Sequence, residues 1–397
     1  MSNNNIDFKN LNEWHNFFMS FVIYYIFIII GFCINISFLN TIGAFLFIIV
    51  YLFLNFKYLL NFKIDKTIII CYVIFLNFIV STFVNYELTN FLYAIKYLYV
   101  FIVYILVFSS NVVPFNESAL KNRFSVLFIL FFVASSLFGG VFQDGSINRI
   151  SGLMVNPNNL SLMSFVLIFL INEEKDSLRF KLINYFVFVF VILFTSTSGA
   201  IIAIIIGLVF KYKNKLKEIM TALSLFAFIG LFLINYMPSL FRIKKQFSAI
   251  LSVDLATIIA GNIQYGRILS IYGSESLSAL WRISHWFKGI SIFFSGSFFE
   301  ILFGFGIGST SILMGTLPHN DFLRILIEQG IVGFCLFIYF IVLVFLRTPH
   351  EYRYIFISIC AFFFTENNID NLFFMTIFMF FCGSIQIKFF NFKIRKI

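Results

Sequence analysis

Phe17-Phe-Met-Ser-Phe-Val-Ile-Tyr-Tyr-Ile-Phe-Ile-Ile-Ile-Gly-Phe-Cys-Ile34 runs without a charged residue, and the short polar cluster Asn35-Ile36-Ser37 closes it. A helix of about 20 apolar residues, rising 1.5 Å per residue, matches the hydrocarbon core of a bilayer. The same unit then recurs along the chain. Twelve spans can be drawn, near 17–34, 38–56, 67–84, 91–108, 124–141, 159–171, 182–195, 199–210, 219–236, 321–346, 354–364 and 372–387. Several of these are short. A transmembrane barrel would instead show segments of about 10 residues with alternating polarity, a pattern this sequence lacks.

Composition agrees with that reading. The chain has 397 residues, 60% hydrophobic and 12% charged, with a mean hydropathy of +0.96. A soluble chain carries about twice that charged fraction. Most of the 62 Phe residues are therefore expected to face lipid or fill the space between helices. Cys33, Cys71, Cys335, Cys360 and Cys382 all fall in apolar runs. An odd count without C-x-x-C spacing gives neither a disulfide framework nor a zinc site. Polar Met1 to Asn16 precedes a run without a small-residue cleavage site, so the first span is expected to be retained.

Basic residues give the orientation. With a cytoplasmic N-terminus, the inside loops hold Lys57, Lys63 and Lys66; Lys121 and Arg123; Lys175, Arg179 and Lys181; and Lys211, Lys213, Lys215 and Lys217. They also hold Arg347 and Arg353, and the tail Lys388, Lys393, Arg395 and Lys396. The short outside loops near 35–37, 85–90, 142–158, 196–198 and 365–371 hold only Arg149. The positive-inside rule then puts both termini in the cytoplasm. The net charge of +10 is mostly this signal and predicts no nucleic-acid partner.

One segment breaks the rhythm. It divides the chain into an N-terminal bundle of about nine spans over 1–236, a long outer loop over 237–319, and a C-terminal bundle of about three spans over 320–397. Within the loop, Phe241–Ser252 and Glu275–Ile290 read as helices. On the second, Glu275, Ser278, Arg282 and His285 share one face, with Leu280, Ile283, Phe287 and Ile290 on the other. Its polar stripe could line a cavity, or the helix could simply lie at the membrane surface.

Chemistry must be sought among cations. There is no G-x-x-x-x-G-K-[ST], no D-x-D and no H-E-x-x-H, so no nucleotide-driven pump is encoded and a metal-dependent glycosyltransferase is disfavoured. No metal and no cofactor is expected. Arg149 stands in an outer loop, and Arg242, Lys244, Lys245, Arg267, Arg282 and Lys288 in the long one. Arginine binds phosphate oxygens in pairs and stays charged in a partly dry site. The alternative for each is a solvated surface cation. The chain re-enters the membrane through Pro318-His319-Asn320-Asp321-Phe-Leu-Arg324-Ile-Leu-Ile-Glu328. Asn320 or Asp321 can cap the new helix, whose free N–H groups make an anion site. Asp321, Arg324 and Glu328 share a face, either toward a wet cavity or as a plain Arg324–Glu328 pair. Lys96, inside the fourth span, can be explained by snorkelling. His319 is the candidate for proton transfer.

These residues fall into a recognisable order. Arg149-x-Ser-Gly-x-x-x-Asn156-Pro-Asn158 resembles an outer loop of bacterial O-antigen polymerases and O-antigen ligases. Arg282-Ile-Ser-His-Trp286 with Leu302-Phe-Gly304-Phe-Gly306-Ile-Gly308 is similar to the same families. So is Pro318-His319-Asn320 running on to Glu328-Gln-Gly330-Ile-Val-Gly333. The resemblance covers about two-thirds of the chain. The turn Thr195-Ser-Thr-Ser-Gly199 is similar too but lacks the arginine often found there, and no role is read for it.

The resemblance implies an all-α polytopic fold of the GT-C type: a metal-independent glycosyltransferase of the inner membrane with a periplasmic site. Its donor would be a glycan on undecaprenyl pyrophosphate. A polymerase passes the growing glycan to a new lipid-linked repeat unit, and a ligase passes it to lipid A–core. The expected partners are this lipid-linked oligosaccharide, the bilayer and a chain-length regulator protein. Carried over, Arg149, Arg282 and Arg267 hold the pyrophosphate, and His319 acts as base or orients the acceptor. Glu328 joins the catalytic set, either supporting the groups that react or binding the acceptor, and Asn156, Asn320 and Arg324 line the pyrophosphate or glycan site. Polymerase is the reading preferred over ligase. A lipid-linked oligosaccharide flippase is the alternative of another class, disfavoured because charges in such transporters gather at mid-bilayer in discontinuous helices.

Overall fold

The structure is a computed structural model, and it describes residues 4–33, 38–59, 65–84, 88–109, 118–144, 147–173, 176–215, 217–218, 221, 224 and 238–394. The span expected at 219–236 lies almost wholly outside these residues. The loops at 35–37 and 85–87 and the tail beyond 394 lie outside them entirely.

About 82% of the described residues are helical. Helices α1 (Asn4–Cys33), α2 (Phe38–Leu59), α3 (Lys66–Val84), α4 (Leu88–Ser109) and α5 (Ser118–Phe138) come first. A hairpin comes next, β1 (Gly140–Asp144) and β2 (Ile147–Gly152), then α6 (Pro157–Phe169), α7 (Leu178–Thr195) and α8 (Ser198–Lys211). Among the described residues, five helical segments are long and apolar enough to cross a membrane: His15–Cys33, Lys66–Phe83, Lys121–Phe138, Leu178–Thr195 and Asp321–Arg347. Shorter apolar segments accompany them at Leu39–Asn55, Tyr93–Ser109, Pro157–Phe169, Ser198–Lys211 and Leu372–Ser384. The molecule is a helical membrane protein.

Its core is aromatic. Phe17, Phe21, Phe124 and Phe373 pack ring on ring from α1, α5 and the last helix, and offset or edge contacts of this kind add to the burial itself. Helix α6 is buried on nearly every side, as an apolar helix without a polar stripe must be. The outward faces carry residues such as Phe53, Leu76, Phe83 and Phe186, which suits lipid and not water.

The long segment is helical throughout much of its length: α9 (Pro238–Leu251), α10 (Leu255–Ala260), α11 (Tyr265–Tyr272), α12 (Leu277–Ser295), α13 (Phe298–Phe303) and α14 (Ser309–Met314). The two helices expected there correspond to α9 and α12. Between Gly330's two neighbours, α15 (Asp321–Arg347) is broken: Gly330 has φ 68° and ψ −173°. The expected single span is thus a short lead-in and a longer second part, Ile331–Arg347, of about 25 Å at 1.5 Å per residue. Helices α16 (Arg353–Phe363) and α17 (Leu372–Ile394) end the fold.

The break is repaired by hydrogen bonds. Phe305 N–H donates to the Ile327 carbonyl at 2.9 Å and Gly306 N–H to the Glu328 carbonyl at 3.1 Å. Ser81 of α3 donates to the Glu328 carbonyl at 2.6 Å. Backbone groups freed inside a bundle need such partners. Gly304 and Gly330, both at positive φ, let the two backbones touch; a side-chain carbon on either would collide with the other strand of chain.

Hairpin β1–β2 was not expected from the apolar pattern, which puts 142–158 in a loop. Phe142 faces Arg149 across its ladder. Gly145-Ser146, two turn-forming residues between two β-compatible runs, is the signal for it.

Candidate functional site

Three distant stretches meet on one carboxylate. Glu366, in the loop between α16 and α17, accepts from Arg282 Nη2 at 2.6 Å and from Asn158 Nδ2 at 2.7 Å through Oε1. Its Oε2 stands 3.0 Å from His319 Nδ1. Asn158 continues the chain: its Oδ1 accepts from Arg149 Nη2 at 2.9 Å and from Thr197 Oγ1 at 3.3 Å. Arg149 Nε donates to the Thr195 carbonyl at 2.8 Å. Arg149, Arg282 and His319 are thereby joined through one amide and one carboxylate.

Local structure explains why each group is where it is. Arg149 projects from β2 beside the Phe142 ring, 5.9 Å from its centroid. Asn156 caps α6 by accepting from Asn158 N–H at 2.8 Å, which puts Asn158 on the first turn, turned to Glu366. Ser196 takes the left-handed conformation at the end of α7. That turn exposes two successive carbonyls, one for Arg149 and one for Arg242, whose Nη1 donates to Ser196 O at 2.9 Å. Arg282 is on α12. His319 sits at φ 49° just before Asn320, which caps α15 by accepting from Leu323 N–H at 3.0 Å. A positive φ is unusual for a histidine and marks a position held by its surroundings.

The electrostatics favour an anion. Burial pushes the Glu366 carboxyl up, but the Arg282 guanidinium and the bonds from His319 and Asn158 outweigh it and hold the group below the ordinary carboxylate range. Arg282 bonds this carboxylate directly, Arg149 is joined to it through Asn158, and Arg242 holds the same turn as Arg149 through the Ser196 carbonyl, so the bonded set carries more guanidinium than carboxylate. Against a carboxylate, His319 Nδ1 must be the donor, which leaves Nε2 of the neutral ring as acceptor. The His319 side chain is 31% exposed while Glu366 is 5% exposed behind it, the arrangement of a base with its orienting acid. Trp281 meets the His319 ring edge-on at 5.5 Å and stacks on His285 at 4.5 Å. Burial lowers the His285 pKa, with Lys288 and His319 adding to the effect and a bond to Thr316 opposing it.

Other expected site residues lie elsewhere. Arg324 and Glu328 are fully buried and pair with each other at 3.1 Å. Arg324 also donates to Asp370 at 2.6 Å, and its guanidinium lies over Tyr93 and Tyr97. Glu328 accepts from Thr310 and Tyr97. Neither side chain is exposed, and what the structure shows for both is a structural part. They hold α15 to α4 and to the 365–371 loop. Asn156 and Asn320 serve as helix caps. Arg267 is exposed on α11, and its side chain makes no hydrogen bond or ion pair among the described residues. It is not joined to the cluster.

Sequence reasoning misses Glu366, Asn158 and the Thr195–Gly199 turn. Asn158 stands inside the Arg149–Asn158 motif, but nothing separates it from Asn156 until the cap is seen. The turn acts through its backbone, whose carbonyls no side-chain pattern reports. Glu366 is separated from Asn158 by 208 positions and from Arg282 by 84, a pairing no local spacing carries. Compared with protein-family models and with curated proteins, the chain matches none.

Proposed function

We propose that this protein crosses the inner membrane about a dozen times, with both termini in the cytoplasm, and polymerises lipid-linked polysaccharide repeat units at the periplasmic face. The donor in this reading is a glycan on undecaprenyl pyrophosphate. The acceptor hydroxyl oxygen attacks the anomeric carbon, its proton passes to His319 Nε2, and the bond from that carbon to the pyrophosphate oxygen breaks. Negative charge grows on the departing pyrophosphate. Fixed cations bind that state better than the ground state, and this is the work assigned to Arg282, with Arg149 and Arg242 behind it.

The observation that carries the reading is the convergence of Arg149, Arg282 and His319 on Glu366 and Asn158. The broken α15, with charges buried beside the break, gives the flippase reading its own support, because transporters are built that way. Transfer of a labelled glycan between lipid carriers by purified protein in detergent separates the two. Product formation supports the enzyme, and glycan carried across vesicles without any transfer overturns it. The phenotype of a deletion then identifies the acceptor. One repeat unit on lipid A–core fits a polymerase, whereas none at all would make the protein a ligase.

A further inference from the structure

Helices α9, α10 and α11 share a small core with α12, centred on Ala249, Ile258, Ile263, Ile268 and Leu280. Their opposite faces are apolar too. Phe247, Leu251, Leu255, Ile259, Leu269 and Ile271 are between 47% and 71% exposed. On α9, Phe247 and Leu251 come after Lys244 at spacings of three and four, one helical face, while Arg242, Gln246 and Ala249 are buried on the other. On α11, Arg267 and Ile271 likewise share a face, with Ile268 turned inward. Six large apolar residues within so short a stretch, edged by exposed cations, form a surface that water does not suit.

The fold says what covers it. Arg242 ties α9 to the last turn of α7 through Ser196. Helix α7 is long and apolar enough to cross the membrane and exposes Phe186, Val189 and Phe194 along its length up to that turn. In sequence, α9 also continues directly from the apolar run ending at Met237. Helix α9 therefore starts level with the end of a membrane-crossing helix, where the hydrocarbon gives way to headgroups. Apolar faces with basic edges are what an interfacial helix presents there.

We infer that α9–α11 lie on the bilayer, with these six side chains in the acyl boundary and Lys244 and Arg267 at phospholipid phosphates. The inference is independent of the proposed reaction. It has a consequence for the Glu366 cluster. Lys245 and Gln246 of α9 bond Glu275 at the start of α12, so a seated α9 sets the height of Arg282 above the lipid.

The test uses the full chain in vesicles of phosphatidylethanolamine and phosphatidylglycerol, with the photocrosslinking residue p-benzoylphenylalanine replacing Leu251, Leu255 or Ile271 in turn. The same residue at Phe186, on the outer face of α7, reports the lipid adduct expected of a folded, inserted chain. The inference predicts phospholipid adducts at all three positions at yields about equal to that at Phe186. If Phe186 forms its adduct while the three positions join a second copy of the chain, join another protein or stay unreacted, the inference is overturned.

Discussion

At the scale of the residue, Glu366 decides how the site behaves. It is a buried carboxylate holding Arg282 and His319 together, and the loss of one partner measures the worth of such a pair. Breaking a fully buried pair costs about 3–5 kcal/mol; here about 1–3 kcal/mol is expected for Glu366→Gln, because His319 is partly exposed. The pH dependence has a definite sign. The folded pKa of Glu366 is depressed, so its contribution is present above the unfolded value near 4.3 and is lost as pH falls through the folded value. Thermal unfolding in detergent should show a gap between wild type and Glu366→Gln that closes as pH falls below about 4. A gap that persists undiminished well below that pH would contradict the assignment. Arg282 acts on the leaving group in this reading, and Arg282→Ala should lower transfer per folded protein by about 10² to 10³. Long-chain polysaccharide in a strain carrying that variant would remove Arg282 from the site.

At the scale of the element, the lead-in of α15 positions the chemistry. Asp321 Oδ2 accepts from Asn368 N–H at 2.7 Å and Ile369 N–H at 3.3 Å, which clamps the loop carrying Glu366. His319 stands two residues before it. Asp321→Ala should leave both buried donors unpaired, at about 1–3 kcal/mol each, with Asp321→Asn intermediate because one acceptor oxygen remains. Equal unfolding temperatures for the two variants would argue against the clamp. Gly330→Ala should cost at least about 1–3 kcal/mol, since alanine resists a positive φ and its methyl would meet the Leu302 carbonyl; the unfolding midpoint measures it.

Much of this was legible in the sequence. The apolar runs of α3, α5, α7 and α15, the cap at Asn320 and the Arg324–Glu328 pair are all set by local spacing. The rest needed the fold. Nothing local marks Gly330 as a break, because its cause is Leu302 and Gly304 on a separate segment. Asp370, the second partner of Arg324, comes from a distant loop. Glu366 and Asn158 were hidden for the same reason, since short-range periodicity reports faces and caps but not which faces meet.

At the scale of the whole molecule, two polar ends separate. Arg347 bonds Asp65 and Thr67 where α15 and α3 meet. Lys121 bonds Asp176 at 3.0 Å, between the starts of α5 and α7, and Lys211 bonds Glu173. Tracing α5, α7 and α15 to their other ends leads to Arg149, Thr195 and His319. The cations assigned to the reaction thus occupy the end opposite Lys121, Lys211 and Arg347, and outward-facing Phe, Ile and Leu lie between.

In the proposed function Arg149, Arg282 and His319 work together beyond the outer leaflet. Accessibility labelling in intact cells tests it most directly, with the five native cysteines replaced by alanine. Asn148→Cys, Lys288→Cys and Thr316→Cys, each exposed near one of the three residues, should react with a membrane-impermeant maleimide. Lys213→Cys, exposed at the other end, should react only after the cells are permeabilised. Reaction of the first three on different sides of the membrane would contradict the account.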